Sequence, residues 1–258
     1  MFEDPQTIHR EMIIEVDKLR FDLSIPIDIS IGMHSGFGQV NAWYAPPFRI
    51  SPVKMRDFVG STKLGGVVNF MNFQCNPHGN GTHTECVGHI AKEDYYVNEC
   101  IQEYFYLGEV VSVYPTLLEN GDKLIDTKHI EPMVSYAKEA KGLLLRTLPN
   151  DETKKERQYT ETNPPYITPE AMRIIVSLGY EHVMIDTPSV DREVDEGKLA
   201  CHHIFWNYPE NTQKHRSITE LIYIPDDVKD GLYLIQNQIV NIRMDAVPSR
   251  PILYKALL

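Results

Sequence analysis

The sequence predicts a fold of the α/β or α+β class, in which a mixed β-sheet is accompanied by few helices. Apolar stretches of strand length recur along the 258 residues, and only one stretch carries a strong helical pattern. Most of the apolar stretches are nearly continuous. This is typical of strands that are buried on both faces, or that are covered by helices on one face.

The first strand candidate, residues 21–31, reads FDLSIPIDISI, so that apolar and polar side chains alternate with a period of two. Pro26 cannot donate a backbone hydrogen bond within a sheet, and we expect it at an edge or a bend. The segment therefore predicts a half-buried strand or two short strands. The further strand candidates are residues 66–75, 108–114, 143–147, 182–185, 221–224 and 232–242.

The clearest helix candidate covers residues 169–178. Thr168 is suited to cap its N-terminus, Pro169 fits the first helical position, and Gly179 is a typical stop. A shorter helix is predicted over residues 133–140.

Charge and composition restrict the classes of partner. The chain carries 25 Lys and Arg against 36 Asp and Glu, which gives a formal net charge of −11. An acidic chain is poorly suited to neutralise phosphates, so we expect no nucleic-acid partner. No apolar run approaches the roughly 18 residues of a membrane span, so we expect no membrane partner either.

Cysteine usage indicates the compartment. Four cysteines in a chain of this length do not form a disulfide framework, and the first residues, MFEDP, are acidic and polar rather than a secretory signal. We therefore expect a cytoplasmic protein with reduced thiols. We also expect one domain over residues 1–258, in which the polar residues 148–166 form a surface loop and not a linker.

The segment most informative about function is residues 76–89, NPHGNGTHTECVGH. Imidazole and carboxylate groups are common ligands of zinc and similar ions, and His83 and Glu85 face the same side if the backbone is extended. The glycines in this predicted loop allow His78 to turn back towards the same ion. The alternative is that His78, His83, Glu85 and His89 only form structural hydrogen bonds.

The pattern Gly81-Thr82-His83-x-Glu85-x-x-x-His89 resembles the core motif of the metal-dependent cyclase family, which includes bacterial kynurenine formamidases and isatin hydrolases. That motif reads His-x-Gly-Thr-His-x-Asp-x-Pro-x-His. Further segments resemble the family in the same order, so the resemblance extends over most of the chain. These segments are DLSIPI near the N-terminus, IDTPSVD at 185–191, ACHHIFW at 200–206, ITEL at 218–221 and DDVKDGLY after it.

Three positions depart from the family motif. Glu85 replaces the Asp, Val87 replaces the Pro, and the first His falls at His78 instead of the position of Gly79. A longer carboxylate can reach across an altered loop, so the site can survive these changes. They can also change the metal, the number of ions or the substrate.

The resemblance implies a set of functional residues. His89 is the implied general acid or base, and Trp43 loosely matches an aromatic residue that lines the substrate pocket. Between His202 and His203, the spacing to the following residues favours His202. The implied metal ligands are His78, His83, Glu85, His202 and Glu220.

Two acidic residues follow a predicted strand end, Asp186 and Asp191. They can bind metal, but we favour turn formation and hydrogen bonds to the histidine ligands. Arg146 is expected to pair with one of them or to end its strand. Glu220 lies in an apolar run, ITELIYI, where a carboxylate is costly unless it is paired or bound to a metal.

The resemblance implies a swivelling β/β/α domain of the α/β class that assembles as a homo-oligomer, a dimer or a tetramer. It further implies a hydrolase that uses one or two divalent ions, zinc or manganese, and metal-activated water to cleave a C–N bond. The implied substrate is a small formamide or cyclic amide similar to N-formylkynurenine. Three alternatives remain: a non-catalytic protein that binds a metal or small ligand, a cyclase or dehydratase that uses the same site, and a hydrolase with Cys86 as nucleophile.

Overall fold

The computed structural model describes residues 11–257. The acidic and polar segment MFEDP at the N-terminus lies outside the described residues. The strands within this range are β1 (Ile13–Val16), β2 (Leu19–Asp22), β3 (Ile27–Asp28), β4 (Arg49–Pro52), β5 (Lys54–Met55), β6 (Phe58–Val59), β7 (Met71–Gln74), β8 (His83–Glu85), β9 (Phe105–Val113), β10 (Thr116–Leu117), β11 (Lys123–Ile125), β12 (Gly142–Thr147), β13 (Tyr166–Ile167), β14 (His182–Ile185), β15 (Ser217–Glu220), β16 (Gly231–Ile239) and β17 (Ala246–Leu257). The helices are α1 (Pro77–Asn80), α2 (Val97–Cys100), α3 (Thr127–Ile130), α4 (Pro169–Ser177) and α5 (Ala200–Trp206), with 3₁₀ turns at Thr62–Leu64, Val87–His89 and Glu152–Lys155. None of the helices in residues 11–257 has the length and apolar character to cross a bilayer.

The main sheet is mixed, as the sequence predicts. Its strand order is β1-β2-β17-β16-β9-β12-β14-β15-β8, and β9, β12, β14 and β15 run parallel to one another. β8 also pairs with β17, so the path from β17 through the parallel strands to β8 closes on itself. Each edge of the short strand β8 is therefore bonded to a neighbour.

The parallel strands are buried on both faces. In β12, Leu143 and Leu145 belong to the core that packs against α4 and α5. Leu144 lies between them and packs on the opposite face, with Val110 and Met184. Because successive side chains of a strand face opposite ways, this double burial accounts for the nearly continuous apolar runs.

The predicted helix over 169–178 is confirmed as α4. The Thr168 hydroxyl accepts a hydrogen bond from the backbone N–H of Ala171 at 3.2 Å, which satisfies one of the free donors of the first turn. Gly179 follows the helix with a φ of 93°, a left-handed conformation that glycine adopts without strain.

The second predicted helix, over 133–140, is wrong, because this segment consists of turns. The buried carboxylate of Glu109 accepts hydrogen bonds from the backbone N–H groups of Ser135 at 2.6 Å and Tyr136 at 3.1 Å. It also accepts one from the Tyr180 hydroxyl at 2.8 Å. A carboxylate from a distant strand thus holds the backbone of this segment through contacts that the local sequence does not indicate.

Several strand predictions shift. The segment 21–31 contributes two short strands, β2 and β3. In place of the strand predicted at 221–224 the structure has β15, which ends at Glu220. The strand predicted at 66–75 is reduced to β7, which pairs only with β4 outside the main sheet. Its side chains are exposed and not buried.

Residues 49–75 form an extension that we call the arm. It contains the two-stranded sheets β4–β7 and β5–β6, separate from the main sheet. Its large apolar side chains are unusually exposed; they are Ile50, Met55, Leu64, Val67, Val68, Phe70, Met71 and Phe73.

A buried ion pair connects the polar segment 148–166 to the ends of the parallel strands. The Lys154 Nζ lies 2.7 Å from Asp186 Oδ2 and 2.6 Å from the carbonyl oxygen of Thr147. Asp186 also accepts from the Thr147 N–H at 2.8 Å. Burial raises the pKa of Asp186, although the neighbouring Lys154 acts in the opposite direction.

Replacing Lys154 by Met should destabilise the fold by about 3–5 kcal/mol, because the Asp186 carboxylate then stays buried without its cation. Urea denaturation followed by circular dichroism measures the loss. The double variant Lys154→Met/Asp186→Leu should recover part of it, since no unpaired charge remains but the Thr147 N–H loses its acceptor. A single variant as stable as the original chain would show that the pair contributes nothing.

Candidate metal centre

Strand pairing creates the floor of the site. In β8, His83 lies directly opposite Glu220 of β15, and Glu85 lies opposite Ala246 of β17. Because His83 and Glu85 are two residues apart in a strand, their side chains share a face, as predicted. His83 Nε2 lies 3.4 Å from Glu220 Oε2.

Three histidines from other elements meet the same face. α1 carries His78, the 3₁₀ turn Val87–His89 carries His89, and α5 carries His202. The ring centroids of His78 and His83 are 5.1 Å apart, those of His78 and His89 4.3 Å, and those of His89 and His202 5.3 Å. All the predicted histidine ligands and the predicted acid or base are thus brought together.

Glu85 is the centre of this cluster. Its Oε1 atom lies 3.1 Å from His202 Nε2, and its Oε2 atom lies 3.3 Å from His78 Nδ1 and 3.8 Å from His89 Nδ1. The carboxyl side chain is fully buried. The extra methylene of Glu relative to Asp therefore still places both oxygens among the imidazoles.

The position of Gly79 explains the shifted first histidine. Residues 77–80 form the short helix α1 and not the open loop that the glycines predicted. A Cβ atom on Gly79 would lie 2.8 Å from the carbonyl oxygen of Ala42, which is closer than real Cβ contacts allow. The Gly79 carbonyl also accepts a hydrogen bond from the Ala42 N–H at 3.0 Å. No side chain fits at 79, whereas His78 points into the cluster.

Asp245 is a member of the cluster that sequence reasoning missed. Its Oδ2 atom lies 3.0 Å from His78 Nε2 and 3.5 Å from His89 Nδ1. It directly precedes β17, which pairs with β8, so its proximity follows from long-range pairing. A single acidic residue before an apolar strand is too common a pattern to have indicated this.

His202 is the member of the His202–His203 pair that faces the cluster, as the sequence favoured. His202 is buried, and its Nδ1 atom lies 2.6 Å from Asp191 Oδ2. His203 instead hydrogen bonds through Nδ1 to the carbonyl oxygen of Tyr208 at 2.9 Å. Glu220 Oε1 accepts from the Val190 N–H at 3.0 Å, which fixes the carboxylate against the loop that carries Asp191.

The two acidic residues after β14 have different partners. Asp191 forms the hydrogen bond to a histidine that we expected, whereas Asp186 pairs with Lys154. Arg146 pairs with neither of them, because its guanidinium pairs with Asp230 at 3.0 Å. As the alternative expectation had it, Arg146 lies near the end of its strand, since β12 ends at Thr147.

Trp43 is not brought into the cluster. Its side chain is 36% exposed, and Ala42 and Ala45 on either side of it are the residues that pack near α1. The aromatic side chains that line the apolar cavity beside the cluster are those of Phe48 and Phe73. A substrate-binding role for Trp43 stays a prediction.

The Cys86 thiol is poorly placed for nucleophilic chemistry. Cys86 is fully buried, and its Sγ accepts a hydrogen bond from the Gly88 N–H at 3.4 Å. Its contact with the Cys100 thiol, together with burial, raises the pKa of Cys86. The thiolate that a cysteine hydrolase needs is therefore disfavoured.

Charges in the cluster stabilise one another. Burial opposes ionisation of Glu85, but the neighbouring imidazoles hold its pKa well below the usual range. Burial opposes protonation of His202, but Asp191 and Glu85 hold its pKa well above the usual range. Burial also lowers the pKa of His78, but the neighbouring carboxylates of Asp245 and Glu85 raise it more, to about 10. The buried carboxylates thus require positive charge, which protonated imidazoles or a divalent cation can provide.

Two buried atoms fit a metal ligand set. His83 Nε2 and Glu85 Oε2 have no aligned hydrogen-bond partner. His83 Nδ1 donates to the Gly81 carbonyl at 3.0 Å, so its Nε2 atom presents a lone pair. Ligand atoms of His78, His83 and Glu85 all lie within 4.8 Å of one another. Imidazole and carboxylate donors suit zinc and manganese, so these residues fit a divalent ion.

The sheet closes through β8 and carries a buried cluster of histidines and carboxylates that could hold a divalent ion. Residues 21–192 match the model of the Cyclase family, whose description is "Putative cyclase". The match covers more than half of the chain, and the protein belongs to the cyclase family. The resemblance seen in the motif is therefore confirmed. Among curated proteins the chain has no match.

Solved structures share the fold at low sequence identity. A "predicted metal-dependent hydrolase" from Bacillus stearothermophilus is 15% identical with a TM-score of 0.60, covering 89% of this chain and 98% of that one. Isatin hydrolase A from Labrenzia aggregata, bound to benzyl benzoate, is 15% identical with a TM-score of 0.64, covering 89% and 93%. Isatin hydrolase A from Ralstonia solanacearum is 16% identical with a TM-score of 0.62, covering 89% and 91%. These similarities confirm the α/β fold with a mixed sheet and few helices.

Replacing Asp191 by Asn should weaken divalent-metal binding about 10- to 100-fold, because the amide no longer supports His202 as a carboxylate does. Competition with a chromophoric chelator measures the affinity. Asp195→Asn is the matched control, since the Asp195 carboxylate accepts from the backbone of Gly197 and Leu199 at 2.9 and 2.6 Å and not from a histidine. Equal affinities in the two variants would contradict a supporting role for Asp191.

Proposed function

We propose that this protein is a metal-dependent hydrolase that uses water to cleave a C–N bond of a small formamide or cyclic amide. The proposal rests on two buried atoms without an aligned hydrogen-bond partner, His83 Nε2 and Glu85 Oε2, at the centre of a histidine–carboxylate cluster. Membership of the cyclase family supports it. Two of the similar structures are isatin hydrolases, and isatin is a cyclic amide.

We propose zinc or manganese as the metal, with one or two ions. Glu85 lies between His78 and His83 on one side and His202 on the other. A carboxylate shared in this way favours a centre that can hold a second ion, and Glu220 would complete it. A bound divalent ion would supply a Lewis acid that polarises the substrate carbonyl and lowers the pKa of water.

His89 is proposed as the general acid and base. Its side chain is 28% exposed, compared with 2% for His202 and 0% for His83, so it is the imidazole that a substrate can best approach. Its Nδ1 atom faces Asp245 Oδ2 at 3.5 Å, which orients the ring. His89 would accept a proton from the attacking water and deliver it to the leaving nitrogen. The imidazole thereby returns to its starting protonation state.

An apolar cavity beside the cluster supports a substrate with an aryl or other apolar part. The cavity has a volume of about 530 Å³, and its lining includes Met33, Phe73 and Val247. It also includes Pro77 and Met244, which directly precede the cluster residues His78 and Asp245. Burial of an aryl group there would place its amide near the metal ligands.

A second copy of this chain is the proposed protein partner, giving a homo-oligomer. The two-stranded sheets of the arm expose a run of large apolar side chains, and isolated two-stranded sheets are barely stable in water. An apolar surface on another copy would cover them. That the protein binds neither nucleic acid nor a membrane stays a prediction from its sequence.

A cytoplasmic location is also proposed. Cys75, Cys86, Cys100 and Cys201 are all free thiols. Unpaired cysteines favour a reducing compartment.

Replacing His83 by Ala should remove hydrolysis and the metal bound by this cluster, whereas replacing His89 by Gln should leave that metal and lower kcat about 10²- to 10⁴-fold. The reason is that His83 offers a lone pair to the metal, while His89 moves the proton. Elemental analysis of the purified variants and absorbance assays with isatin and N-formylkynurenine measure the two effects. Circular dichroism establishes that each variant is folded.

Full metal content and full turnover in His83→Ala would contradict the proposed function. Metal bound by the original chain, without turnover on a panel of formamides and lactams, would instead favour the non-catalytic ligand-binding alternative.

The variant Val67→Glu/Met71→Glu should shift the protein towards the mass of one chain, because it places charges on the apolar surface of the arm. Light scattering coupled to size-exclusion chromatography measures the mass. Val194→Glu is the matched control, since Val194 is 70% exposed but lies outside the arm. An unchanged oligomer in the arm variant would show that the arm is not the interface.

A further inference from the structure

A second group of candidate ligands lies where three parallel strands begin. Glu103 precedes β9, and Glu181 and His182 lie at the start of β14. One ligand atom from each of these residues lies within 4.8 Å of the other two. The two carboxylates are partly exposed, whereas His182 is 2% exposed.

This group is separate from the first metal centre. His182 pairs in register with Ser217, the first residue of β15, whereas Glu220 is the last residue of that strand. Three residues of extended chain span about 10 Å. The two groups therefore lie at opposite ends of the same parallel strands and share no residue.

The His182 ring is held by its neighbours but keeps one nitrogen without a partner. Its Nδ1 atom hydrogen bonds with the Ser217 hydroxyl at 2.8 Å, and its ring stacks on Tyr106 with centroids 4.0 Å apart. Its Nε2 atom is buried and has no hydrogen-bond partner. A buried polar atom without a partner is costly and calls for a ligand or another explanation.

We propose that Glu103, Glu181 and His182 form a second divalent-metal site, suited to zinc and independent of the first centre. Zinc commonly binds imidazole nitrogen together with carboxylate oxygen, and the orphaned nitrogen is of the required type. His215 is available as a fourth ligand, since its Nε2 atom lies 3.9 Å from Glu181 Oε1 and its side chain is 53% exposed. An ion held there would connect the starts of β9 and β14 with the segment that leads into β15.

Lys141 occupies this region as a competing cation. Its Nζ atom lies 2.7 Å from a Glu103 carboxylate oxygen and 3.9 Å from Glu181 Oε2. The lysine side chain is 47% exposed, and ion pairs with so much exposure contribute little stability. A divalent ion can displace the ammonium group, which then turns to solvent. Removal of the Lys141 charge should consequently strengthen metal binding.

The test uses the full-length protein with its first centre already loaded, dialysed against buffered free Zn²⁺. Zinc bound beyond the first centre is counted by elemental analysis, and its affinity is determined with a chromophoric chelator. We expect additional zinc in the original chain, at least about tenfold weaker binding in Glu181→Gln, and tighter binding in Lys141→Gln. Glu170→Gln is the control, because Glu170 is exposed and pairs only with the exposed Arg173 among the described residues.

Absence of additional zinc in the original chain would overturn the proposal, as would additional zinc that binds Glu181→Gln and Glu170→Gln equally. Weaker binding in Lys141→Gln would also overturn it, because the lysine would then support the ion and not compete with it. In His83→Ala the second site should still bind zinc. That result keeps failure of the second site distinguishable from failure of the proposed hydrolase.

Discussion

The buried charge of Glu85 is the constraint on which the arrangement of this site depends. A carboxylate that is fully removed from water costs several kcal/mol unless positive charge compensates for it. His78, His89 and His202 approach its two oxygens from three separate elements. The requirement for compensation therefore fixes α1, the 3₁₀ turn after β8 and α5 relative to one another, and the same requirement prepares the centre for a divalent cation.

The closed sheet makes this burial possible. β8 has three residues and little apolar surface of its own, yet it pairs with β15 on one edge and β17 on the other. β17 has twelve residues and also pairs with β2, β3 and β16, so it anchors the short strand to the rest of the sheet. The register of the β15–β8 pair then places Glu220 opposite His83.

Local patterns were predictable from the sequence, and long-range ones were not. The cap at Thr168 and the stop at Gly179 define α4 through contacts within a few residues, so the sequence alone suffices. His83 and Glu85 are two residues apart in one strand, so their shared face was also predictable from the sequence. The turns at 133–140 depend on Glu109, and Asp245 joins the cluster through the pairing of β17 with β8. Neither of these two contacts is indicated by residues that are close by in the sequence.

The cluster is asymmetric in its exposure to solvent. His83, Glu85, Glu220 and His202 are nearly inaccessible, and each is fixed by a strand, a helix or a carboxylate partner. The side chains of His78, His89 and Asp245 are 21%, 28% and 36% exposed and form the open side. Groups that hold an ion profit from rigidity, whereas a group that exchanges protons with a substrate must be reachable. The apolar cavity adjoins that open side through Pro77 and Met244, so the proposed substrate would meet the exposed imidazoles before the buried side chains.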